Sequence, residues 1–263
     1  MRIFATPAMI VAALCAPVAA CAAEVGAEKT VVQEKQQEDA PKAETPFGSF
    51  SATLTAVTDY RDRGISQSDE RPALQGSIDW EHDSGFYLGI WASNIDYNDA
   101  ANARLELDYY AGYKTKLPND FDIDLSVMET TYPGVPGSYD YNLYELTGAL
   151  GHDFGPASAK LSFTWSPDNF ADSGTETYTQ LSAEAPLLET GFTLNGALGY
   201  QTVEIESRGG PDAVDWSAGI GYSWQGLDLG LKYIDTNLSK NTCPDGCAAT
   251  VVFSIAHTFG GED

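Results

Sequence analysis

From Gly48 to Phe259 the chain repeats one pattern: about twelve segments, each roughly 10 residues long, in which apolar and polar positions alternate. The alternation predicts strands at 48–60, 72–82, 86–97, 103–117, 121–132, 142–154, 157–166, 176–188, 191–205, 213–225, 227–239 and 249–259. In the fourth, Leu105, Leu107, Tyr109, Ala111 and Tyr113 share one face, opposite Glu106, Asp108, Tyr110 and Lys114. The fifth sets Phe121, Ile123, Leu125 and Val127 against Asp122, Asp124 and Ser126. The seventh sets Leu161, Phe163 and Trp165 against Lys160, Ser162 and Thr164. In the eleventh, Leu227, Leu229, Leu231 and Tyr233 oppose Asp228, Gly230 and Lys232. The third and eighth sort less cleanly, and their facing stays open.

The connections alternate as regularly as the residues. Asp83-Ser84-Gly85, Pro118-Asn119-Asp120, Gly155-Pro156, Glu189-Thr190 and Gln225-Gly226 are tight turns. Between them fall mostly longer links at 61–71, 98–102, 133–141, 167–175, 206–212 and 240–248. A β-sandwich also alternates, but it has no reason to match strand lengths or to sort its loops by parity. Roughly ten alternating residues, tilted by about 45°, span a bilayer core. The expected fold is therefore all-β: a transmembrane antiparallel β-barrel of about 12 strands, with short periplasmic turns and longer extracellular loops. Aromatic residues near strand ends, among them Tyr60, Trp80, Phe86, Tyr97, Tyr113, Phe121, Tyr132, Phe154, Trp224, Tyr233 and Phe259, fit two interfacial girdles.

The amino-terminal region has a different character. Arg2, the small apolar run 3–19 and Ala20-Cys21-Ala22 read as an export signal over 1–22, with the mature chain starting at Ala23. Val18-Ala19-Ala20-Cys21 also resembles a lipobox, with Cys21 as the acylated residue, and both readings require export. Residues 23–47 are rich in Glu, Lys, Gln and Ala and are expected to be a disordered acidic periplasmic segment. The barrel occupies 48–259, with a tail at 260–263. No apolar run in 48–259 approaches the length of a membrane-spanning helix. The mean hydropathy of −0.23 is compatible with a barrel, because half of each strand faces a polar lumen.

The formal net charge is −24, from 38 acids against 14 lysines and arginines, which disfavours nucleic acid as a partner. The acids fit either a cation-favouring lumen or simple loop hydration. Two of the four cysteines survive signal removal: Cys243 and Cys247 flank Pro244-Asp245-Gly246 and read as a disulfide pinching one loop. Strand parity sends Asp79, Glu81, Glu106, Asp108, Asp122, Asp124, Glu145, Glu184 and Asp228 inward, with Lys114, Lys160 and Lys232 as inward bases. Rings of acidic side chains favour cations. Alternatively, acids and bases pair and close the lumen. Enzymatic chemistry is not expected. His82 and His152 fall near periplasmic strand ends, His257 shares parity with Phe253 and Ile255, and none is paired with a plausible serine nucleophile. No phosphate-binding glycine loop or metal-ligand cluster is present in the sequence, so no cofactor and no metal are expected.

The most distinctive string is Thr58-Asp59-Tyr60-Arg61-Asp62-Arg63-Gly64-Ile65-Ser66-Gln67-Ser68, followed by Pro72-Ala73-Leu74-Gln75-Gly76 and Gly85-Phe86-Tyr87-Leu88-Gly89-Ile90-Trp91-Ala92-Ser93-Asn94. With Glu106-Leu107-Asp108 and Tyr109 to Tyr113 downstream, this resembles the TorF-type porin family, proteobacterial outer-membrane proteins formerly of unknown function. The resemblance spans most of 48–259 and is densest over 56–114. It implies an outer-membrane barrel and a passive pore for small hydrophilic solutes. Outer-membrane lipid, lipopolysaccharide and the barrel-assembly machinery are then the expected partners. The closing segment, 251–259, resembles the last strand of such proteins. In the first loop, Arg61, Arg63, Gly64, Ser66 and Gln67 have two readings: an inward fold whose arginines pair with lumen acids and narrow the pore, or a salt bridge that anchors the loop at the rim.

Overall fold

The computed structural model describes residues 43–45, 47–187, 190–243 and 246–260. The expected signal segment, Cys21, most of 23–47 and all but Gly260 of the tail lie outside the described residues. Twelve antiparallel strands form the barrel: β1 (Gly48–Val57), β2 (Ala73–Glu81), β3 (Phe86–Asn94), β4 (Leu105–Leu117), β5 (Phe121–Thr131), β6 (Leu143–Asp153), β7 (Ser158–Ser166), β8 (Glu176–Pro186), β9 (Phe192–Val203), β10 (Ala213–Trp224), β11 (Leu227–Thr236) and β12 (Thr250–Phe259). Each strand pairs with its sequence neighbours, and β12 closes on β1 with Phe259 opposite Ala52. Closure leaves no sheet edge, so the strand backbones satisfy one another without water. Within the segment expected to be disordered, Ala43–Thr45 form a short strand that folds back on the start of β1.

The polarity of the molecule is inverted relative to a water-soluble fold. Ile78, Leu88, Leu125, Phe163, Leu198 and Phe253 are exposed, whereas Ser77, Glu106, Asp108, Ser162, Thr164 and Gln180 are buried. In water such a surface would be a large aggregation-prone patch. In lipid the outward apolar side chains are where the hydrocarbon requires them. The two ambiguous strands also alternate. β3 turns Phe86, Leu88 and Ile90 outward and Gly89, Trp91 and Ser93 inward. β8 turns Glu176, Tyr178, Gln180 and Ser182 inward.

One end of the barrel, the turn side, carries the tight connections. Gln225 and Gly226 both adopt positive φ, 50° and 77°, and join Trp224 to its register partner Leu227. This two-residue turn follows the right-handed twist of its strands. An aromatic girdle surrounds this end, including the pairs Phe86–Tyr113 (4.9 Å) and Phe192–Tyr222 (4.6 Å). The three histidines belong to it: His82 lies beside Trp80, His152 between Phe121 and Phe154, and His257 beside Phe259.

The loop side is more elaborate. The first loop contains a small hairpin, Arg61–Asp62 paired with Ile65–Ser66. The third has a 3-10 turn at Gly137–Tyr139, the fifth a one-turn helix at Glu206–Gly209, and the sixth the disulfide Cys243–Cys247, with Cα atoms 6.0 Å apart. β1, β3 and β11 stop three residues short of the alternation because the chain there turns to serve the loops. Tyr60, Trp91, Ile95, Ala103 and Tyr132 are buried together, with Tyr97, Tyr110, Tyr141 and Phe170 packed against them. Tyr60, Tyr97 and Tyr132, expected in a girdle, instead form this loop-side core.

Candidate functional site

The barrel interior gathers the ionisable side chains. Asp79, Glu81, Glu106, Asp108, Lys114, Asp122, Asp124, Glu145, Lys160, Glu184, Asp228 and Lys232 alternate with the outward apolar residues of their strands, on the inner face. Their surroundings differ with depth. Towards the turn side, Lys114 Nζ contacts Glu81 Oε1 at 2.6 Å while the lysine keeps 44% of its side chain exposed. The Tyr87 hydroxyl donates to Asp124 Oδ1 (2.7 Å), and Lys114 Nζ lies 5.9 Å from the Tyr87 ring centroid. The Ser223 hydroxyl donates to Asp228 at 2.5 Å. Asp79 is the exception in this half, buried beneath the Tyr110 hydroxyl and Ser77, both of which donate to it.

Towards the loop side the acids are enclosed. Glu106, Asp108, Glu145, Glu176 and Asp215 are all buried. The first loop causes this by folding into the barrel. Its two arginines, two residues apart, have different partners. Arg61 Nε binds Asp59 at 2.6 Å, and its Nη1 donates to the carbonyls of Gly64 (3.1 Å), Gly246 (2.5 Å) and Ala248 (3.2 Å). It therefore ties the first loop to the disulfide-bearing sixth loop. Arg63 projects from the hairpin tip, where it and Gly64 have φ of 47° and 77°. Its guanidinium pairs with Glu145 (2.7 Å) and Glu176, and its Cζ lies 4.5 Å from the Tyr178 ring centroid. Burial opposes the charge on Arg63, but Glu176, Glu145 and Asp62 outweigh it and raise its pKa well above the ordinary value.

The remaining first-loop residues hold this arrangement. A Cβ at Gly64 would meet Thr236 Cγ2 at 2.3 Å. The Ser66 hydroxyl donates to Asp59 (2.6 Å), and its amide donates to the Gly246 carbonyl (2.9 Å). The Gln67 amide donates to the Tyr60 carbonyl (2.7 Å), and the Gln67 carbonyl accepts from the Asp96 amide (2.8 Å), which joins loops one and two. The Tyr60 hydroxyl donates to Glu106 Oε1 at 3.0 Å. Burial, reinforced by Glu106 and Asp62, pushes the Tyr60 phenol well above its ordinary value and keeps it a proton donor.

Sequence reasoning overlooked Trp91, Glu176, Tyr178, Gln180 and Asp215. Glu176, Tyr178 and Gln180 share parity with Glu184, and Asp215 shares it with Ser217, so the period of two contained the signal. The Tyr178 ring passes over Gly199, where a Cβ would lie 2.1 Å from the phenol oxygen. Glycine on one inner strand thus makes room for a large ring from the next.

The sequence profile of one bacterial family matches residues 40–259. The chain belongs to the Gcw_chp family, bacterial proteins of unknown function. No curated protein sequence matches it. Among solved structures, this family member is similar to the KdgM porin, with a TM-score of 0.54 at 10% identity over 81% of this chain and 99% of that one. It is also similar to the NanC porin, with a TM-score of 0.54 at 9% identity over 80% of this chain and 100% of that one. A KdgM porin in complex with disordered oligogalacturonate gives 0.53 at 10% identity, over 81% and 99%. At such identities the likeness establishes the fold: a closed twelve-strand barrel of the outer-membrane type. With its apolar outer belt, that fold belongs in the outer membrane.

Proposed function

We propose that the protein is an outer-membrane channel that passes small hydrophilic solutes and prefers cations. The observation that carries this reading is the inner wall, which is polar and ionisable along its depth instead of being packed with apolar side chains. Acids outnumber lysines on it, and an acidic lining attracts cations and repels anions at close range. The lining residues are Asp79, Glu81, Glu106, Asp108, Lys114, Asp122, Asp124, Glu145, Lys160, Glu184, Asp228 and Lys232, with Glu176 and Asp215 added. The narrowest part is the loop side, where Arg63 constricts the path and Arg61, Gly64, Ser66 and Gln67 hold the first loop in place. The resemblance to TorF-type porins and the fold shared with the KdgM and NanC porins support the same function. The outer belt meets outer-membrane lipid and lipopolysaccharide, and β12, ending at Phe259, is the strand offered to the barrel-assembly machinery. The channel carries out no chemical reaction and binds no nucleic acid.

The burial of the loop-side acids favours a second reading, a non-conducting barrel whose loops bind a partner. Planar-bilayer recording of refolded residues 23–263 under a salt gradient separates the two. The channel reading expects steady unitary conductance with a cation-selective reversal potential. A folded barrel with no conductance, or with an anion-selective potential, would overturn it.

A further inference from the structure

Arg63 fills a pocket whose walls are held independently of it. Glu176 accepts from Asn169 Nδ2 and from Gln201 Nε2 (3.0 Å) as well as from Arg63. The Tyr178 hydroxyl donates to Asp215 (3.0 Å) and accepts from Gln180 Nε2 (3.0 Å). Glu145 stands on β6, and Glu176 and Tyr178 on β8, so barrel strands fix two carboxylates and an aromatic face. That is the chemistry that selects a planar cation: acceptors at the edge and a π surface on the flat side. The arginine, in contrast, arrives on the tip of a hairpin of two-residue strands whose base is secured by Arg61.

Two further buried side chains indicate that Arg63 does not exhaust the pocket. Ser166 pairs in register with Glu176, and its hydroxyl, although fully enclosed, has no hydrogen-bond partner. Gln180, which holds the Tyr178 hydroxyl through its amide nitrogen, leaves its carbonyl oxygen unmatched. Both lie on the inner face next to the Arg63 site. Unmatched buried polar atoms are costly, and the Arg63 Nε–H also lacks a partner, so the arginine on its tether leaves donor and acceptors unpaired that a free planar cation can reorient to join.

We propose that this pocket recognises a guanidinium-bearing solute, and that Arg63 occupies it as an internal stand-in which the solute displaces. The proposal deepens the channel reading and rests on it for the solute's onward passage, whereas binding itself is independent of conduction. Displacement frees the hairpin tip from the barrel wall and widens the loop-side constriction. A planar fork is required to bridge Glu145 and Glu176 while lying on Tyr178, so a tetrahedral ammonium of similar size is a poor competitor.

The test uses the mature chain in lipid nanodiscs, with methylguanidinium as the probe and tetramethylammonium as the control. In the unmodified protein, methylguanidinium should speed amide hydrogen exchange over 61–66, and tetramethylammonium should not. Arg63→Ala removes the competitor and should tighten methylguanidinium binding by about tenfold or more, since the free pocket is no longer a minor state. Adding Glu145→Gln and Glu176→Gln should abolish that binding. If Arg63→Ala fails to fold, the exchange experiment on the unmodified protein decides alone. Unchanged exchange, equal affinity with and without Arg63, or binding that survives both glutamine substitutions would each overturn the proposal. A barrel that binds methylguanidinium without conducting ions would retain this site and refute the channel.

Discussion

On the turn side of the interior, Glu81, Asp122, Asp124, Lys160, Glu184 and Asp228 keep part of their side chains in contact with solvent. On the loop side, Glu106, Asp108, Glu145, Glu176 and Asp215 keep almost none. The same twelve strands line both halves, so the difference does not come from the strands. It comes from what enters each end. Turns of a few residues have nothing to spare for the lumen, whereas the first loop inserts a hairpin carrying a buried cation. Strand parity sets which side chains face inward, and the loops set whether those side chains meet water.

The sharpest way to break the contrast is to remove the cation on which the loop side depends. Arg63→Ala strands two buried carboxylates, and breaking a buried pair from one side costs about 3–5 kcal/mol. The expected outcome is a lower denaturation midpoint together with a several-fold rise in unitary conductance. Reducing Cys243–Cys247 acts one step further away. Closing so short a loop is worth about 2 kcal/mol, and the sixth loop supplies the Gly246 and Ala248 carbonyls that hold Arg61. Reduction should therefore accelerate amide exchange over 58–72 while leaving the strands protected. On the turn side, Lys114→Ala breaks only a solvent-accessible pair with Glu81, worth about 0–1 kcal/mol. Stability should hardly change, and the reversal potential should move slightly towards stronger cation preference.

The smallest effect concerns pH. Partial desolvation works against the charge on Asp96, but the Asn98 amide and the guanidinium groups of Arg104 and Arg71 hold its pKa below the ordinary aspartate value. A carboxylate whose pKa falls on folding adds stability above the unfolded value of about 4, and that stability is lost as pH drops through the lower folded value. Amide exchange in the second loop, corrected for intrinsic rates, should stay flat from pH 7 to pH 5 and rise below about pH 4. Asp96→Asn should show the raised exchange at every pH.

Much of the barrel was legible because lipid enforces the period of two: a one-residue slip would turn a whole strand's apolar set into the lumen. The strand positions, the tight turns and the inward acids follow from that constraint. It loosens where both faces accept the same residue types. β8 puts Tyr178 inside and Thr177 and Thr179 outside, and β3 hides Trp91 in the lumen, so neither strand declared its facing. At the loop side the constraint vanishes. Tyr60, Tyr97 and Tyr132 look like girdle residues in sequence, yet they pack with one another above the strands. Arg61 and Arg63 lie two residues apart and both are buried, and only the tertiary path of the hairpin gives one to Asp59 and backbone carbonyls and the other to carboxylates about a hundred residues away.

Thiol accessibility tests the two-ended interior most directly. Asp228→Cys and Ser166→Cys, made separately with the native disulfide intact, would be exposed to a small membrane-impermeant thiol reagent from the turn side. Asp228→Cys should react rapidly, and Ser166→Cys should stay protected until Arg63→Ala is added. Equal reaction rates at the two positions, with Arg63 in place, would contradict a loop side narrowed by the first loop.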